Sequence, residues 1–520
     1  MRNLAEHRRE MALKELGGTL IKRNLSIVSF VIFSVTLLSV PSYQLIYDLQ
    51  HGESPHVFQA VNLLPVPNLK EIEQYEDTLE EESVLTNGLL PVVQLILTGV
   101  FRTGNEQAYL GRDGWLFYRA DMDSLTRADS QKTVSAALAA IVDFNRQLNA
   151  RGITLIVVPT PVKPTIHPEK FSTRYRNANA PIQNYIYAMF VEILISQGIL
   201  VYDPSPLLFD AARQETQYLK TDTHWKPEAM EQVAKGLAAF IAEQVKLSAN
   251  QSFTYVKAAH DITNIGDIAK MLKLPEGQTL FPPERVTRHV VQTVSSELWQ
   301  PVQKSEILFL GDSFSNIYSL AGMGWGNSAG FVEHLSAELG RPIDKIVINA
   351  GGADATRQAL VQELNRGHDR LTGKRVLVYQ FATRELFSGD WKSLSIPQVQ
   401  PDPIDDLVKS DDQGENTVVT ATIKAKTEPP APRSVPYAEC IIALHLENLE
   451  TPDLPEELVV FLWGMRENRW TEAATFKVGQ EINLRLRPWN SVEADYGSYN
   501  RKEFKNEDAW LLDVYWGEIP

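Results

Sequence analysis

The distribution of apolar residues along the chain indicates three regions of different architecture. Between residues 105 and 395, continuous apolar runs of strand length alternate with stretches of helical periodicity. Apolar runs that do not alternate with polar residues are typical of strands buried on both faces of a parallel sheet. The five runs are ITLIVVP at 153–159, ILVYD at 199–203, EILFLGD at 306–312, KIVINAGG at 345–352 and RVLVYQF at 375–381. The pattern predicts an α/β domain with a doubly wound parallel sheet, in a three-layer αβα arrangement.

Helical periodicity appears in the segments between these runs. It predicts helices at 134–148, 227–245, 330–339 and 355–366. The domain is expected to begin with LGRDGWLFYR, in which Asp113-Gly114 is a turn signal between two apolar runs.

The pattern changes after a segment that contains Pro397, Pro401 and Pro403. Beyond residue 415 the runs are strand-like, several of them alternate with period two, and helical signals are scarce. We therefore predict a separate small all-β domain, a barrel or sandwich, at about 405–520, and treat it as a β-rich accessory domain. Trp463, Trp470, Trp489 and Trp510 in this region are candidates for a sugar-stacking platform or for half-buried core residues.

The N-terminal region has an apolar run at 25–47 without a charged residue, which is long enough to cross a bilayer. Six basic residues precede the run, and no Lys or Arg follows it until Lys70. The positive-inside rule then predicts a cytoplasmic N-terminus at 1–24 and a single-pass helix in the cell membrane, followed by a juxtamembrane stalk at 48–104 and an extracytoplasmic α/β domain at 105–395. A cleaved signal peptide is the alternative.

Composition narrows the possible functions. The chain has 520 residues, of which 44% are hydrophobic, and a formal net charge of -15 without a basic stripe. We therefore expect no nucleic-acid partner. Cys440 is the single cysteine, so no intrachain disulfide can form. Ligand spacing with Cys, Asp or Glu is absent around His167, His260, His289, His334, His368 and His445, and the chain has no P-loop or dinucleotide fingerprint. Neither a metal nor a cofactor is therefore expected.

The candidate nucleophile is Ser313, in the sequence GDSFS directly after the strand-like run ILFL. A serine at the carboxyl end of a central parallel strand lies where open α/β sheets bind their ligands. The hydroxyl needs a base and an orienting group. TDTHW at 221–225 offers both, because residues two apart on an extended segment point to the same side, so that Asp222 can hold the imidazole of His224. A plain turn with a serine cap and a polar loop ahead of a helix remain the alternatives.

Acyl transfer also needs donors for an oxyanion. Gly351 and Gly352 end the run KIVINAGG, where their backbone N–H groups could approach a substrate or simply form a tight turn. Arg384 follows the run VLVYQF and is a candidate to bind substrate or to pair with Glu385.

These motifs resemble SGNH (GDSL-type) hydrolases: GDSFS after one strand, VINAGG after the next and a polar block after the third. The order in which Asp-x-His precedes the serine, together with DGWLFY and the N-terminal anchor, resembles the alginate O-acetyltransferases of the AlgJ/AlgX family. The resemblance covers roughly residues 105–390 and implies Ser313 as nucleophile, His224 as base and Asp222 as its partner. The family commonly uses a tyrosine a turn after the serine, which points to Tyr318. Thr383-Arg384 stands where the third SGNH block usually has an asparagine.

The function implied is O-acetylation of an alginate-like exopolysaccharide through an acyl-serine intermediate. A membrane-bound O-acyltransferase is expected to supply the acetyl groups, and a polysaccharide is the expected acceptor. A polysaccharide acetylesterase with the same three residues and a non-enzymatic polysaccharide-binding membrane protein are the alternatives.

Overall fold

A computed structural model describes residues 23–51, 83–128, 131–248, 253–349, 351–397 and, with short gaps, 417–520. The basic residues before position 23, the acidic stretch 71–82 of the predicted stalk, Pro401, Pro403 and Trp510 lie outside the described residues. The chain forms two compact units, Met1–Val93 and Gln94–Pro520.

The first unit contains the helix Arg23–His51. Within the described residues, this is the single helix that is long and apolar enough to cross a membrane, with a mean hydropathy of 1.7 over Ser26–Gln50. Most of its large apolar side chains are exposed, among them Phe30 and Phe33. The predicted run at 25–47 falls inside this helix, and Pro41 lies within it without ending it.

The remaining secondary structure follows in chain order. The helices are Val84–Gly99, Arg119–Thr126, Gln131–Asn149, Lys163–Ile166, Pro168–Phe171, Tyr187–Ser196, Ser205–Ala211, Pro227–Gln244, Asp267–Met271, Ser313–Asn316, Phe331–Leu339, Ala355–Asn365, Glu385–Ser388 and Glu493–Tyr496. The strands are β1 Ala108–Leu110, β2 Leu116–Tyr118, β3 Thr154–Thr160, β4 Leu200–Val201, β5 Tyr255–Asn264, β6 Glu284–Thr293, β7 Ile307–Gly311, β8 Asp344–Val347, β9 Val376–Ala382, β10 Thr417–Lys426, β11 Cys440–Glu447, β12 Glu457–Arg466, β13 Arg469–Trp470, β14 Glu481–Pro488 and β15 Val514–Glu518.

A five-stranded parallel sheet is the centre of the second unit. Its strand order is β4–β3–β9–β7–β8, and each of the five predicted apolar runs overlaps one of these strands to within one residue at either strand end. Successive side chains of a strand point to opposite faces, and they enter two different cores here. Phe309 and Val378 belong to a core that includes residues of helices Pro227–Gln244 and Phe331–Leu339, while Leu310 and Tyr379 belong to a core with residues of Gln131–Asn149, Tyr187–Ser196 and Ala355–Asn365.

Two hairpins accompany the sheet. The short hairpin β1–β2 turns at Asp113 and Gly114, both with positive φ, as the Asp-Gly signal predicts. The long antiparallel pair β5–β6 joins two ten-residue strands through residues 265–283. This second hairpin was absent from the sequence prediction, and it holds residues around the site described below.

The C-terminal region is all-β apart from short helical turns. Its strands pair in the order β11–β10–β14–β15–β12–β13, and an additional pairing of β11 with β12 closes five of them into a ring. The region has hydrophobic cores of its own, one of which includes Ile442 and Leu484 and another Phe461 and Trp516. Of the tryptophans considered for a sugar platform, Trp489 is buried, Trp463 packs edge-on against Trp516, and Trp470 is 37% exposed.

Candidate active site

The turn that carries Ser313 is held by a buried polar network. Ser313 is the first residue of the short helix that follows β7, and the side chain of Asp312 caps this helix by accepting a hydrogen bond from the Phe314 N–H at 2.9 Å. Gln380 of the neighbouring strand β9 accepts from the Asp312 N–H at 3.0 Å and from the Ser315 hydroxyl at 2.8 Å. Its amide also donates to Thr160 Oγ1. The network fixes the serine at the carboxyl end of the sheet.

His224 lies between Ser313 and Asp222. Its Nε2 is 2.9 Å from Ser313 Oγ, and its Nδ1 is 2.7 Å from Asp222 Oδ1. His224 and Asp222 are buried, and the imidazole contacts the Phe314 ring edge-on with 4.9 Å between ring centroids. The structure thus brings together the three residues that the motifs GDSFS and TDTHW predict, in the geometry of a nucleophile, a base and an orienting carboxylate.

Asp222 is held as a carboxylate by donors on both of its oxygens. Oδ2 accepts from the indole N–H of Trp325 at 2.9 Å and from the Asp267 N–H at 3.0 Å, while Oδ1 faces His224. Burial on its own raises the pKa of Asp222, but the hydrogen bond and charge of His224 outweigh it, so the pKa is lowered. Burial likewise opposes the charged form of His224, and Asp222 reverses this effect and raises the pKa of the imidazole.

A second carboxylate, Asp267, stands beside this pair and was not predicted. Its Oδ2 lies 3.7 Å from His224 Nδ1, and its Oδ1 accepts from the Thr223 N–H at 2.6 Å. Burial and the charge of Asp222 raise the pKa of Asp267 to about 6. Asp267 directly follows Gly266, where a Cβ atom would lie 2.3 Å from the backbone of Thr221, so a glycine permits the close approach of the two loops.

Asp222, His224 and Asp267 also form a group whose potential metal-ligand atoms lie within 4.8 Å of one another. The oxygens of Asp222 already accept hydrogen bonds from His224 and Trp325. A cation at this position would compete with the hydrogen bonds that orient the histidine.

A cavity of about 420 Å³ opens at Ser313. It is lined by Gln107, Tyr118, Asp222, Thr223, His224, Asp267, Met271, Ser313, Ile317, Met323, Asn349, Gly352, Arg384, Glu385, Val435 and Tyr437. A larger cavity of about 430 Å³ lies between the catalytic and C-terminal β regions, and its lining includes Trp299, Trp489 and Tyr499 but none of Ser313, His224 or Asp222. The cavity at Ser313 is therefore the candidate active site.

Four other residues were predicted to belong to the site, and two of the four line the cavity. Gly352 and Arg384 line the cavity, and the Arg384 guanidinium is paired with Asp121 at 3.0 Å and with Glu385 at 3.3 Å. Tyr318 is fully buried in the core, where its hydroxyl donates to the Trp225 carbonyl at 2.8 Å. Gly351 precedes Gly352 in the same loop, and a Cβ atom there would lie 2.5 Å from Ala355 Cβ. Roles for these four residues stay predictions.

Asn349 is a second residue of the site that was not predicted individually. It follows β8, the strand next to β7, so the parallel register brings it to the same sheet edge as Ser313. Its Oδ1 accepts from the Asn316 amide at 3.0 Å, which leaves its Nδ2 as the free end of the side chain. This Nδ2 is buried and has no hydrogen-bond partner in the part of the chain that the structure describes. A buried, unpaired donor beside a serine is suited to an oxyanion.

The parallel sheet and the Ser-His-Asp arrangement at its carboxyl end are those of an α/β protein with a candidate serine-histidine-carboxylate site. A family model described as "SGNH hydrolase-like domain, acetyltransferase AlgX" matches residues 108–383, more than half of the chain. The chain therefore belongs to the AlgX family of SGNH hydrolase-like acetyltransferases, and it is an O-acetyltransferase, as the motifs predicted.

Individual relatives are similar at lower identity. The probable alginate O-acetylase AlgJ of Pseudomonas aeruginosa is 24% identical over 383 residues, which cover 68% of this chain and 88% of that protein. Among solved structures, the O-acetyltransferase domain of Pseudomonas putida AlgJ has a TM-score of 0.43 and 21% identity over 54% of this chain and 91% of that domain. Pseudomonas aeruginosa AlgX has a TM-score of 0.41 and 20% identity over 66% of this chain and 72% of that one.

Proposed function

We propose that this protein acetylates hydroxyl groups of an alginate-like exopolysaccharide by way of an acetyl-serine at Ser313. The observation that carries the proposal is the continuous hydrogen-bonded line from Ser313 Oγ through His224 to Asp222, at 2.9 and 2.7 Å. The family membership supports acetyl as the group transferred. The curated relatives, described as probable alginate O-acetylases, support a polysaccharide as the acceptor.

In the first step, Ser313 Oγ attacks the carbonyl carbon of the acetyl donor while His224 Nε2 takes the hydroxyl proton. Asp222 stabilises the imidazolium that forms, and Asp267 adds a second negative charge nearby when it is ionised. The oxyanion of the tetrahedral intermediate accepts from Asn349 Nδ2 and from backbone N–H groups near Ser313 and Gly351. When the intermediate collapses, the leaving group takes the proton from His224, and acetyl remains on Ser313.

In the second step, a sugar hydroxyl takes the place of the leaving group. The oxygen of that hydroxyl attacks the acetyl carbonyl carbon, and His224, now neutral, accepts the hydroxyl proton. The second tetrahedral intermediate collapses by expelling Ser313 Oγ, which regains its proton from His224. The products are the acetylated sugar and the free enzyme.

The assignment has consequences for the arrangement of the chain. We infer that the sheet is the middle of a three-layer αβα domain, because alternate strand residues enter cores that contain different helices. We also infer that helix Arg23–His51 is an uncleaved single-pass anchor with the catalytic domain outside the inner membrane. A membrane-bound O-acyltransferase that exports acetyl groups is the partner that this arrangement requires.

The alternative with the same three residues is an acetylesterase, in which water replaces the sugar in the second step. A non-enzymatic binding protein is disfavoured, because His224 and Asp222 are buried at the cost of desolvation and are oriented towards the half-buried Ser313.

The proposal is tested with an activated acetyl ester as donor and an oligosaccharide as acceptor. Ser313→Ala should abolish labelling by a sulfonyl fluoride and the covalent acetyl-enzyme, and His224→Ala should lower the rate by several orders of magnitude. Asn349→Ala should lower the rate by roughly 10²–10³, the cost typical of one oxyanion donor. Ser315→Ala is the matched control for the nucleophile, because its hydroxyl binds Gln380 instead of His224. Labelling that survives in Ser313→Ala would overturn the assignment.

A further inference from the structure

The C-terminal β region supplies part of the wall of the catalytic cavity. Val435 and Tyr437 line the cavity at Ser313, although they lie more than one hundred residues further along the chain. On the catalytic side, their neighbours in the lining include the apolar side chains of Met323 and Ile317. The acyl group on Ser313 therefore faces a cavity that two regions of the chain build together.

The two wall residues are anchored in the β region. Tyr437 is buried and forms a small hydrophobic cluster with Cys440 and Met465, against which Val435 packs. The backbone that follows is fixed as well, since the Ala438 carbonyl accepts from the Asn468 N–H at 2.9 Å. The wall is thus part of a packed element.

The segment that carries the two wall residues also lies close to the catalytic region. A Cβ atom placed on Gly322 would lie 2.8 Å from Glu439 Oε2 and 3.5 Å from a ring carbon of Tyr499. Gly322 belongs to the helical turn Ala321–Met323, whose last residue also lines the cavity. The glycine leaves room for the β region at the point where the cavity wall is completed.

We propose that Val435 and Tyr437 shield the acetyl-serine from water and thereby determine how much acetyl reaches sugar instead of water. The inference rests on the proposed function, because it concerns the second step at Ser313. Attack by a sugar hydroxyl leaves an ester and attack by water leaves acetate, and in both reactions the same bond to Ser313 Oγ breaks. Water is small, so a larger opening increases its access to the acetyl-serine more than it improves the binding of an oligosaccharide. A weakened wall should therefore increase the share of acetyl groups that is released as acetate.

The test compares four variants of the full chain. Tyr437→Ala and Val435→Ala open the wall by different amounts, the second with the smaller loss of buried volume. Phe476→Ala is the control for Tyr437→Ala, because it removes a buried aromatic from another core of the β region, and Val418→Ala matches Val435→Ala at an exposed position. Each protein receives the activated acetyl ester and the oligosaccharide, and the ratio of acetylated sugar to free acetate is measured.

The expected result is a severalfold lower ratio in both wall variants, with wild-type ratios in Phe476→Ala and Val418→Ala. An unchanged ratio in both wall variants, or an equal fall in Phe476→Ala, would overturn the inference. Failure of the proposed function has different signatures, namely a wild type that produces only acetate, as an acetylesterase would, or donor consumption that persists in Ser313→Ala.

Discussion

At the scale of single residues, His224 determines the pH dependence of the proposed reaction. The base must be neutral to accept the Ser313 proton, and Asp222 raises the pKa of the imidazole above its ordinary value of 6.5. Activity should therefore fall as the pH drops through a midpoint above 6.5, whereas an unperturbed histidine would give a midpoint at about 6.5. The measurement is kcat/KM for donor consumption across the pH range.

The substitution Asp222→Asn tests whether Asp222 is what raises the pKa of His224. The amide no longer stabilises the imidazolium, so the acid limb should move to lower pH while the rate falls strongly. Thr216→Ala is a control outside the cavity lining, where its hydroxyl accepts a hydrogen bond from Lys226 Nζ at 2.6 Å. An acid limb at or below pH 6.5 in the wild type would contradict the assigned environment of His224.

Some of the site residues can be predicted from the sequence next to them, and others cannot. Asp222 and His224 are two positions apart and Ser313 follows a strand, so local patterns suffice to propose all three. Asp267 begins the short helix Asp267–Met271 after β5. Its place in the site depends on contacts of Gly266 and Asp267 with Thr221 and Asp222, which span more than forty residues. No local periodicity encodes such a contact.

At the scale of elements, the parallel strands could be predicted because both of their faces are buried, which produces long apolar runs. The pair β5–β6 could not, because all ten residues of β5 are exposed or half-buried and polar residues interrupt its pattern. The connection at 265–283 also lacks the short turn signal of a tight hairpin. Glu284 at the start of β6 nevertheless supports the site, since its carboxylate accepts from the Thr221 N–H at 2.8 Å.

The N-terminal helix carries a prediction of its own. Helix Arg23–His51 exposes a continuous apolar surface, and the sequence before it is basic, so we expect it to span the inner membrane with its N-terminus inside. A reporter that is active only outside the cytoplasm, fused to the C-terminus, should be active. The same fusion without residues 1–51 should be inactive, and an inactive reporter on an intact full-length fusion would contradict the orientation.

At the scale of the whole molecule, the catalytic and β regions have separate cores but share a cavity. The two cores that flank the parallel sheet contain no residue beyond 396 among those described, and the β region fills cores of its own. The composition break near residue 400 could therefore be predicted from the sequence. The shared cavity could not, because it depends on how two independently patterned regions pack against each other.

Deletion of residues 401–520 tests both the separate cores and the shared cavity. The truncated protein should keep a cooperative unfolding transition, because its cores stay complete and Arg370, which loses Glu493 at 3.3 Å, keeps Asp344 at 2.6 Å. It should still be labelled at Ser313 by a sulfonyl fluoride, with Ser313→Ala in the same truncation as the control. Without Val435 and Tyr437, however, more of the acetyl should go to water than in the full chain. A truncated protein that cannot fold would show instead that the β region is part of the catalytic fold.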